Sequence, residues 1–192
     1  MATERRPDLD RTYTIDEYMR LAESGERYEL VNGRLSLMSP TSWDHGGITA
    51  RLTIYLGQHV LEHKLGDMFA AETAFVLDAE THDVRAADIA FVAVSRVSDI
   101  SSPGPLPFPP DLVVEVISPS DRLTDLRKKA RAYQRAGIPL VWVVNPRPHQ
   151  RTVQVYHPAD LRPTTLGVDD HLDGEDIVPG FTLPVRALFK MP

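Results

Sequence analysis

The chain has no cysteine in its 192 residues. That excludes disulfides, thiolate zinc sites and a cysteine nucleophile, and it fits a reducing compartment, with the cytoplasm as the expected location. No apolar run approaches the roughly 20 residues that a membrane span needs, so no membrane association is expected. The opening stretch, "MATERRPDLDRTYT", lacks an apolar core and does not read as a secretory signal. Positive charge is also in short supply: 21 Lys and Arg stand against 27 Asp and Glu, a formal net charge of −6. A module that holds nucleic acid mainly through phosphate contacts is usually basic, so the balance counts against a plain nucleic-acid-binding module. It counts less against an enzyme whose acids hold metal ions, because the metal restores positive charge at the site. There is no internal repeat and no low-complexity tract.

What is present is ordinary for a globular protein: 42% hydrophobic and 25% charged residues. With no strong linker, residues 1–192 read as a single domain. "TIDEYMRLAES" begins with Thr14 and Glu17 in capping-box spacing and reads as a short helix ending near Gly25. "YELVNGRLSLM" reads as two strands around the Asn32-Gly33 hairpin signal. Residues 43 to 64 carry Ile48, Leu52, Tyr55, Leu56, His59 and Val60 near helical spacing and read as a core-packed helix stopped by Gly66.

Two strands follow, about 73–78 and 88–94, joined by a polar turn. Residues 98–110 form a proline-rich loop. "LVVEVIS" reads as a buried strand, residues 122–136 as a basic helix stopped by Gly137, and "LVWVVNP" as another apolar strand. Strand, helix, strand in this order is a right-handed parallel crossover by default. "TVQVYH" reads as an edge strand, and the apolar anchors of the tail should pack on the body. The fold class is α/β with a mixed sheet.

The chemistry gathers around an anomaly. Glu115 sits inside the apolar run Leu112 to Ile117. A carboxylate there costs several kcal/mol unless something compensates it. Strand side chains alternate, so Asp111, Val113, Glu115 and Ile117 share one face. Asp88 opens the preceding strand and can converge with Glu115 if the two strands are neighbours. Two carboxylates in one apolar pocket repel unless a cation or a shared proton lies between them. A hard divalent ion such as Mg²⁺ suits two carboxylates, the carbonyl of Val116 and waters. The absence of HExxH and of cysteine makes zinc less suitable. On the following helix Asp125, Lys129 and Tyr133 fall at i, i+4 and i+8. A lysine directed at the carboxylates can orient or activate a water for attack on phosphorus.

An Asp opening a strand, a Glu in the next long strand and then a lysine resemble the PD-(D/E)XK, restriction-endonuclease-like nucleases. More closely, the chain resembles the Uma family of restriction endonucleases. The matching segments are "YELVNGRLSLMSP", "VRAADIAFV" and "PPDLVVEVISPSDRLTDLRKKARAYQRAGIPLVWVVNP", with the C-terminal strands. The resemblance implies a restriction-endonuclease-like core with a mixed central sheet flanked by helices. It implies a Mg²⁺-dependent DNA endonuclease, with Mn²⁺ as a possible substitute and Asp88 and Glu115 as metal ligands. It places the lysine, usually two residues after the Glu where Ile117 stands here, on the following helix at Lys129. Glu29 matches an acidic position with a supporting or second-metal role. Ala87 departs from the proline that usually precedes the strand Asp.

Each assignment has a plainer rival. Glu115 can pair with Arg85 or Arg122, Asp88 can cap a turn, Lys129 can pair with Asp125, and Glu29 can face solvent on the hairpin. Asp111 reads as a loop-end residue and Tyr133 as a packing residue. His45 is either a proton shuttle or phosphate contact, or an exposed first-turn histidine. Arg122, Arg127, Lys128, Arg131 and Arg135 are either a phosphate-facing surface or a solvated helix face. Trp43 and Trp142 read as core or interface anchors. Two other functions remain open: an inactive nucleic-acid-binding or assembly module of the same fold, and an interaction subunit using loop 98–110. A homodimer would place two sites on the two strands of a duplex.

Overall fold

The structure is a computed structural model that describes residues 7–22, 27–38, 41–98, 100, 104–119 and 121–189. The first helix, α1 (Ile15–Ala22), begins with the expected capping box. The Thr14 amide donates to Glu17 Oε2 at 2.9 Å, and the Glu17 amide donates to Thr14 Oγ1 at 3.3 Å. Its expected end near Gly25 lies outside the described residues. Strands β1 (Tyr28–Val31) and β2 (Arg34–Leu37) form the expected hairpin. Asn32 and Gly33 both have positive φ, +48° and +76°, as the tight turn requires.

Helix α2 (Trp43–His63) matches its expected span, but the residue that ends it is Lys64, left-handed at φ +53°. Gly66 has a different duty. It opens β3 (Gly66–Ala70), a strand that had no sequence signal, and a Cβ there would lie 2.0 Å from the Val92 carbonyl oxygen. Gly66→Ala is therefore expected to destabilise the protein by about 2–4 kcal/mol. Urea unfolding checks this, and an unchanged midpoint would show that β3 can move away.

The two strands expected between residues 73 and 94 are three: β4 (Ala74–Asp78), β5 (Asp83–Ala86) and β6 (Ile89–Ala93). β5 pairs with β4 and β1, completing a four-stranded antiparallel sheet in the order β2-β1-β5-β4. The chain then leaves that ladder at Ala87 and Asp88 and enters a second sheet as β6. Asp88 thus stands at the corner between two sheets.

After a short helix α3 (Val94–Val97), the proline-rich segment is pinned to β4. The Leu106 amide donates to the Ala74 carbonyl, and the Val76 amide to the Leu106 carbonyl, both at 2.8 Å. Leu106 and Pro110 are buried, so these two are not the exposed apolar surface that an interaction loop would need. Strand β7 (Leu112–Val116), helix α4 (Leu123–Arg135) and strand β8 (Leu140–Asn145) make the expected parallel crossover. β9 (Thr152–Tyr156) is not an edge: β10 (Thr164–Leu166) pairs outside it. The six-stranded sheet runs β10-β9-β8-β7-β6-β3 and is mixed.

The tail forms the hairpin of β11 (His171–Asp173) and β12 (Thr182–Pro184), then α5 (Arg186–Phe189). One core packs Ile48, Leu52, Leu56 and Val60 of α2, with the tail's Leu172, Val178 and Leu188, on Leu112, Val114 and Val116. The other packs Ala130 and Tyr133 of α4 on Val113 and Ile117. The central sheet is covered on both faces, as a parallel pair requires. Trp142 is fully buried, whereas Trp43 is 72% exposed and is no core residue.

Candidate active site

β6 lies antiparallel beside β7, with Ile89 opposite Val114. One step further along this register, Asp88 comes level with Glu115. Both line one cleft of about 320 Å³, together with Glu29, His45, Val116, Asp121 and Lys129. The four acidic and basic residues singled out in the sequence, Asp88, Glu115, Lys129 and Glu29, are therefore brought together.

Glu115 is compensated by Lys129 and Tyr133, and not by an arginine. Its Oε1 accepts from the Tyr133 hydroxyl at 2.6 Å and lies 2.9 Å from Lys129 Nζ. Arg85 is instead paired with Asp83, and Arg122 is exposed. Lys129 Nζ also lies 2.9 Å from Glu29 Oε1 and donates to the Ala86 carbonyl at 3.2 Å. The ammonium thus ties β1 and β5 of one sheet to β7 of the other. The Ala86 amide donates to Glu29 Oε1 at 3.2 Å, which fixes the far carboxylate.

These groups set each other's charge. Burial pushes the Glu115 carboxyl up to about 7; Lys129 opposes the rise, while the negative charges of Asp88 and Glu29 add to it. Burial alone would lower Lys129, but Glu115, Tyr133 and Glu29 hold its ammonium well above the ordinary lysine value. Burial and the neighbouring Glu115 likewise keep the Tyr133 phenol protonated.

Asp88 has its own holders. Its Oδ2 accepts from the Val116 amide at 2.7 Å and lies 3.0 Å from His45 Nε2. His45, in the first turn of α2, is buried and not an exposed first-turn residue. Burial works against its proton, but the hydrogen bond and charge of Asp88 outweigh that and raise its pKa. Asp111 lies elsewhere: its carboxylate accepts from Arg96 at 2.7 Å and from the Ala93 amide at 2.8 Å, so it is a loop-end residue. Asp125 faces outward beside Lys128. Asp121 was missed. It accepts from the Ser118 amide at 2.7 Å at the cleft wall, and only "SPSD", a turn-like cluster, hinted at it.

Among the described residues no group of three or more His, Cys, Asp or Glu is arranged as a metal cage. The donor set present suits a hard cation of another kind. The ion pairs and hydrogen bonds of Glu115 fall on Oε1, and those of Asp88 on Oδ2. Among the described residues no bond falls on Glu115 Oε2 or Asp88 Oδ1, and Mg²⁺ takes one or two carboxylates and completes its shell with water and phosphate. Burial and the like charges of Asp88 and Glu29 outweigh Lys129 at Glu115 and hold its pKa at about 7.

The Uma2 family, described as putative restriction endonucleases, matches residues 15–186. The chain belongs to this family. A crystal structure of a putative nuclease of DUF820 from Anabaena variabilis ATCC 29413 superposes with a TM-score of 0.79 at 19% identity. The match covers 92% of this chain and 97% of that one. At that identity the likeness carries the fold alone. No curated protein matches the sequence. The α/β restriction-endonuclease-like core read from the Uma segments, with its mixed central sheet flanked by helices, is the fold found. Among the described residues no helix is long and apolar enough to cross a membrane.

Proposed function

We propose that this Uma2 protein is a metal-dependent endonuclease that hydrolyses phosphodiester bonds in DNA. The observation that carries the reading is the meeting of Asp88 and Glu115 in one cleft, with Lys129 held on Glu115. Asp88, Glu115 and the carbonyl of Val116 would hold Mg²⁺, with Mn²⁺ as a substitute. When bound, such an ion stabilises negative charge developing on a phosphate.

The chain's own groups divide the rest. Lys129 stays cationic at neutral pH, so it orients water and counters charge rather than abstracting a proton. Glu29 positions Lys129 from β1, and Tyr133 fixes the Glu115 rotamer through Oε1. His45 and the Val116 amide fix Asp88. A homodimer, which would offer one site to each strand of a duplex, and a cytoplasmic location belong to the same reading.

Calorimetric titration with Mn²⁺ tests it. Saturable binding by the wild type, absent in Glu115→Ala, should accompany Mg²⁺-dependent nicking of plasmid DNA that the variant lacks. DNA binding indifferent to Mg²⁺, with no cleavage, would favour an inactive nucleic-acid-binding or assembly module. The alanine at position 87, where a proline is usual, and the net charge of −6 are the features behind that rival.

A further inference from the structure

Helix α4 carries more positive charge than its own protein balances. Residues 122–135 hold Arg122, Arg127, Lys128, Lys129, Arg131 and Arg135 against the single acid Asp125, in a chain of net charge −6. Lys129 turns inward to the candidate active site. Arg127, Lys128, Arg131 and Arg135 are exposed and share the outward face. Arg127 with Arg131, Arg131 with Arg135 and Lys128 with Arg131 stand three or four residues apart, a spacing at which like charges repel. Among the described residues Arg127 and Arg135 make no ion pair, although the chain has 27 acids. Arg131 is partly committed, since it donates to the carbonyls of Asp160 and Leu161.

This face does not lie on open surface alone. It forms one wall of a groove of about 620 Å³, whose other wall is the β1–β2 hairpin at Val31, Asn32 and Ser36. Ser36 and Lys129 line both this groove and the cleft of Asp88 and Glu115, so the two spaces adjoin. A polyanionic chain seated with one phosphate beside Lys129 at the cleft continues along a wall of Arg127, Lys128, Arg131 and Arg135, where the one acid is Asp125, 3.2 Å from Lys128 Nζ. Arg127 to Arg135 covers about 12 Å of helix axis, roughly three nucleotides of one strand at about 3.4 Å each.

We propose that the groove between α4 and the β1–β2 hairpin is a phosphate track. It holds the backbone of the DNA strand next to the bond being cut, with Arg127, Lys128 and Arg135 as its contacts. The proposal rests on the endonuclease reading, and its test separates the two. These contacts position the strand and carry no base specificity. They also account for cations set side by side in an acidic protein: the partner that relieves their repulsion is the substrate.

The experiment is fluorescence anisotropy of the full chain in EDTA, with a labelled 24-base-pair duplex and with one of its strands alone, across a salt series. Arg127→Gln/Arg135→Gln is compared with the wild type and with Lys64→Asn, a control at the end of α2 away from His45. The double variant should bind at least tenfold more weakly at 100 mM salt. Its slope of log affinity against log salt should be shallower by about 2. Lys64→Asn should change neither, and the double variant should melt no lower than the wild type. Stronger losses with the single strand would assign the groove to an unpaired strand; equal losses would assign it to a duplex flank. An unchanged slope, an equal effect from Lys64→Asn, or no DNA binding by the wild type overturns the track. If the slope falls as expected while the wild type cleaves nothing under any divalent metal, the track stands and the endonuclease reading fails.

Discussion

Lys129→Met is expected to destabilise the protein by about 3–5 kcal/mol at pH 8, and by much less at pH 5. The methionine keeps most of the apolar stem but removes the only cation that the carboxylates of Glu115 and Glu29 share among the described residues, at 2.9 Å from each. Both acids are largely buried, with side chains 8% and 11% exposed, so neither can turn to water without rearrangement. In acid a proton replaces the lysine. Glu115 already takes its proton at about 7 with Lys129 present, and without it the value rises further. From about pH 4.5 upward to that raised value the folded state binds more protons than the unfolded state, so stability falls as pH rises. Urea unfolding at the two pH values measures the difference. An equal loss at pH 5 and pH 8 would mean that the lysine acts by packing and not by charge. The double variant Lys129→Met/Glu115→Gln should recover a large part of the loss, because the orphaned charge goes with the residue that carried it.

The parts of this site that could be read from sequence are those whose signal is local. Asn32-Gly33 specifies its turn, Thr14 and Glu17 specify their cap, and the long period of residues 43 to 64 specifies α2. The run from Leu112 to Asn145 specifies a strand, a helix and a strand, and it carries Glu115, Lys129 and Tyr133 with it. What escaped is what tertiary structure decides. "VRAADIAFVAV" contains no glycine or proline to mark a corner, yet the chain passes there from one sheet to another. The corner exists because β5 pairs with β1 and β4 while β6 pairs with β3 and β7. It also decides the site, since it sets Asp88 between the sheets with Glu115 level across the ladder. The bond between His45 and Asp88 spans 43 positions and has no motif behind it. β10, β11 and β12 are three residues each, too short for an alternating pattern to stand out, and so β9 resembled an edge.

Glu29 shows how far a local reading reaches. On the hairpin alone it is indistinguishable from a solvent-facing acid, because β1 alternates buried and half-buried residues. Only the placement of α4 beside that hairpin puts Lys129 on it, at 2.9 Å. The groove that adjoins the site runs between the same helix and hairpin, so their placement sets both Lys129 and the cationic wall beside it.

Glu115→Gln should separate stability from activity. Plasmid nicking in Mg²⁺ is expected to fall by at least about a thousandfold, or roughly 4 kcal/mol of transition-state stabilisation, because the amide keeps the shape but is a poor ligand for a hard cation. Gln can still accept the Tyr133 hydroxyl bond, and Glu29 still holds Lys129, so the fold should survive. Metal-free stability should respond in the opposite sense. In the wild type the carboxyl takes its proton at about 7 when folded but near the ordinary 4.5 when unfolded. Its ionisation in the folded protein is therefore a cost that grows as pH rises from 4.5 to 7 and levels off above that, amounting to about 3 kcal/mol. Glutamine has no such cost. Stability of the variant minus that of the wild type, measured in EDTA, should climb through this window and then stay flat. His157, raised by Asp160 and Glu175, titrates alike in both proteins and cancels, whereas His45 is raised by Asp88 and in smaller part by Glu115 and so adds a lesser change of its own to the difference. A difference that does not vary with pH would show that Lys129 and Tyr133 fully satisfy Glu115, and would remove the main reason to place a cation beside it. A rising difference together with lost nicking would mark Glu115 as an acid kept for its chemistry at the expense of the fold.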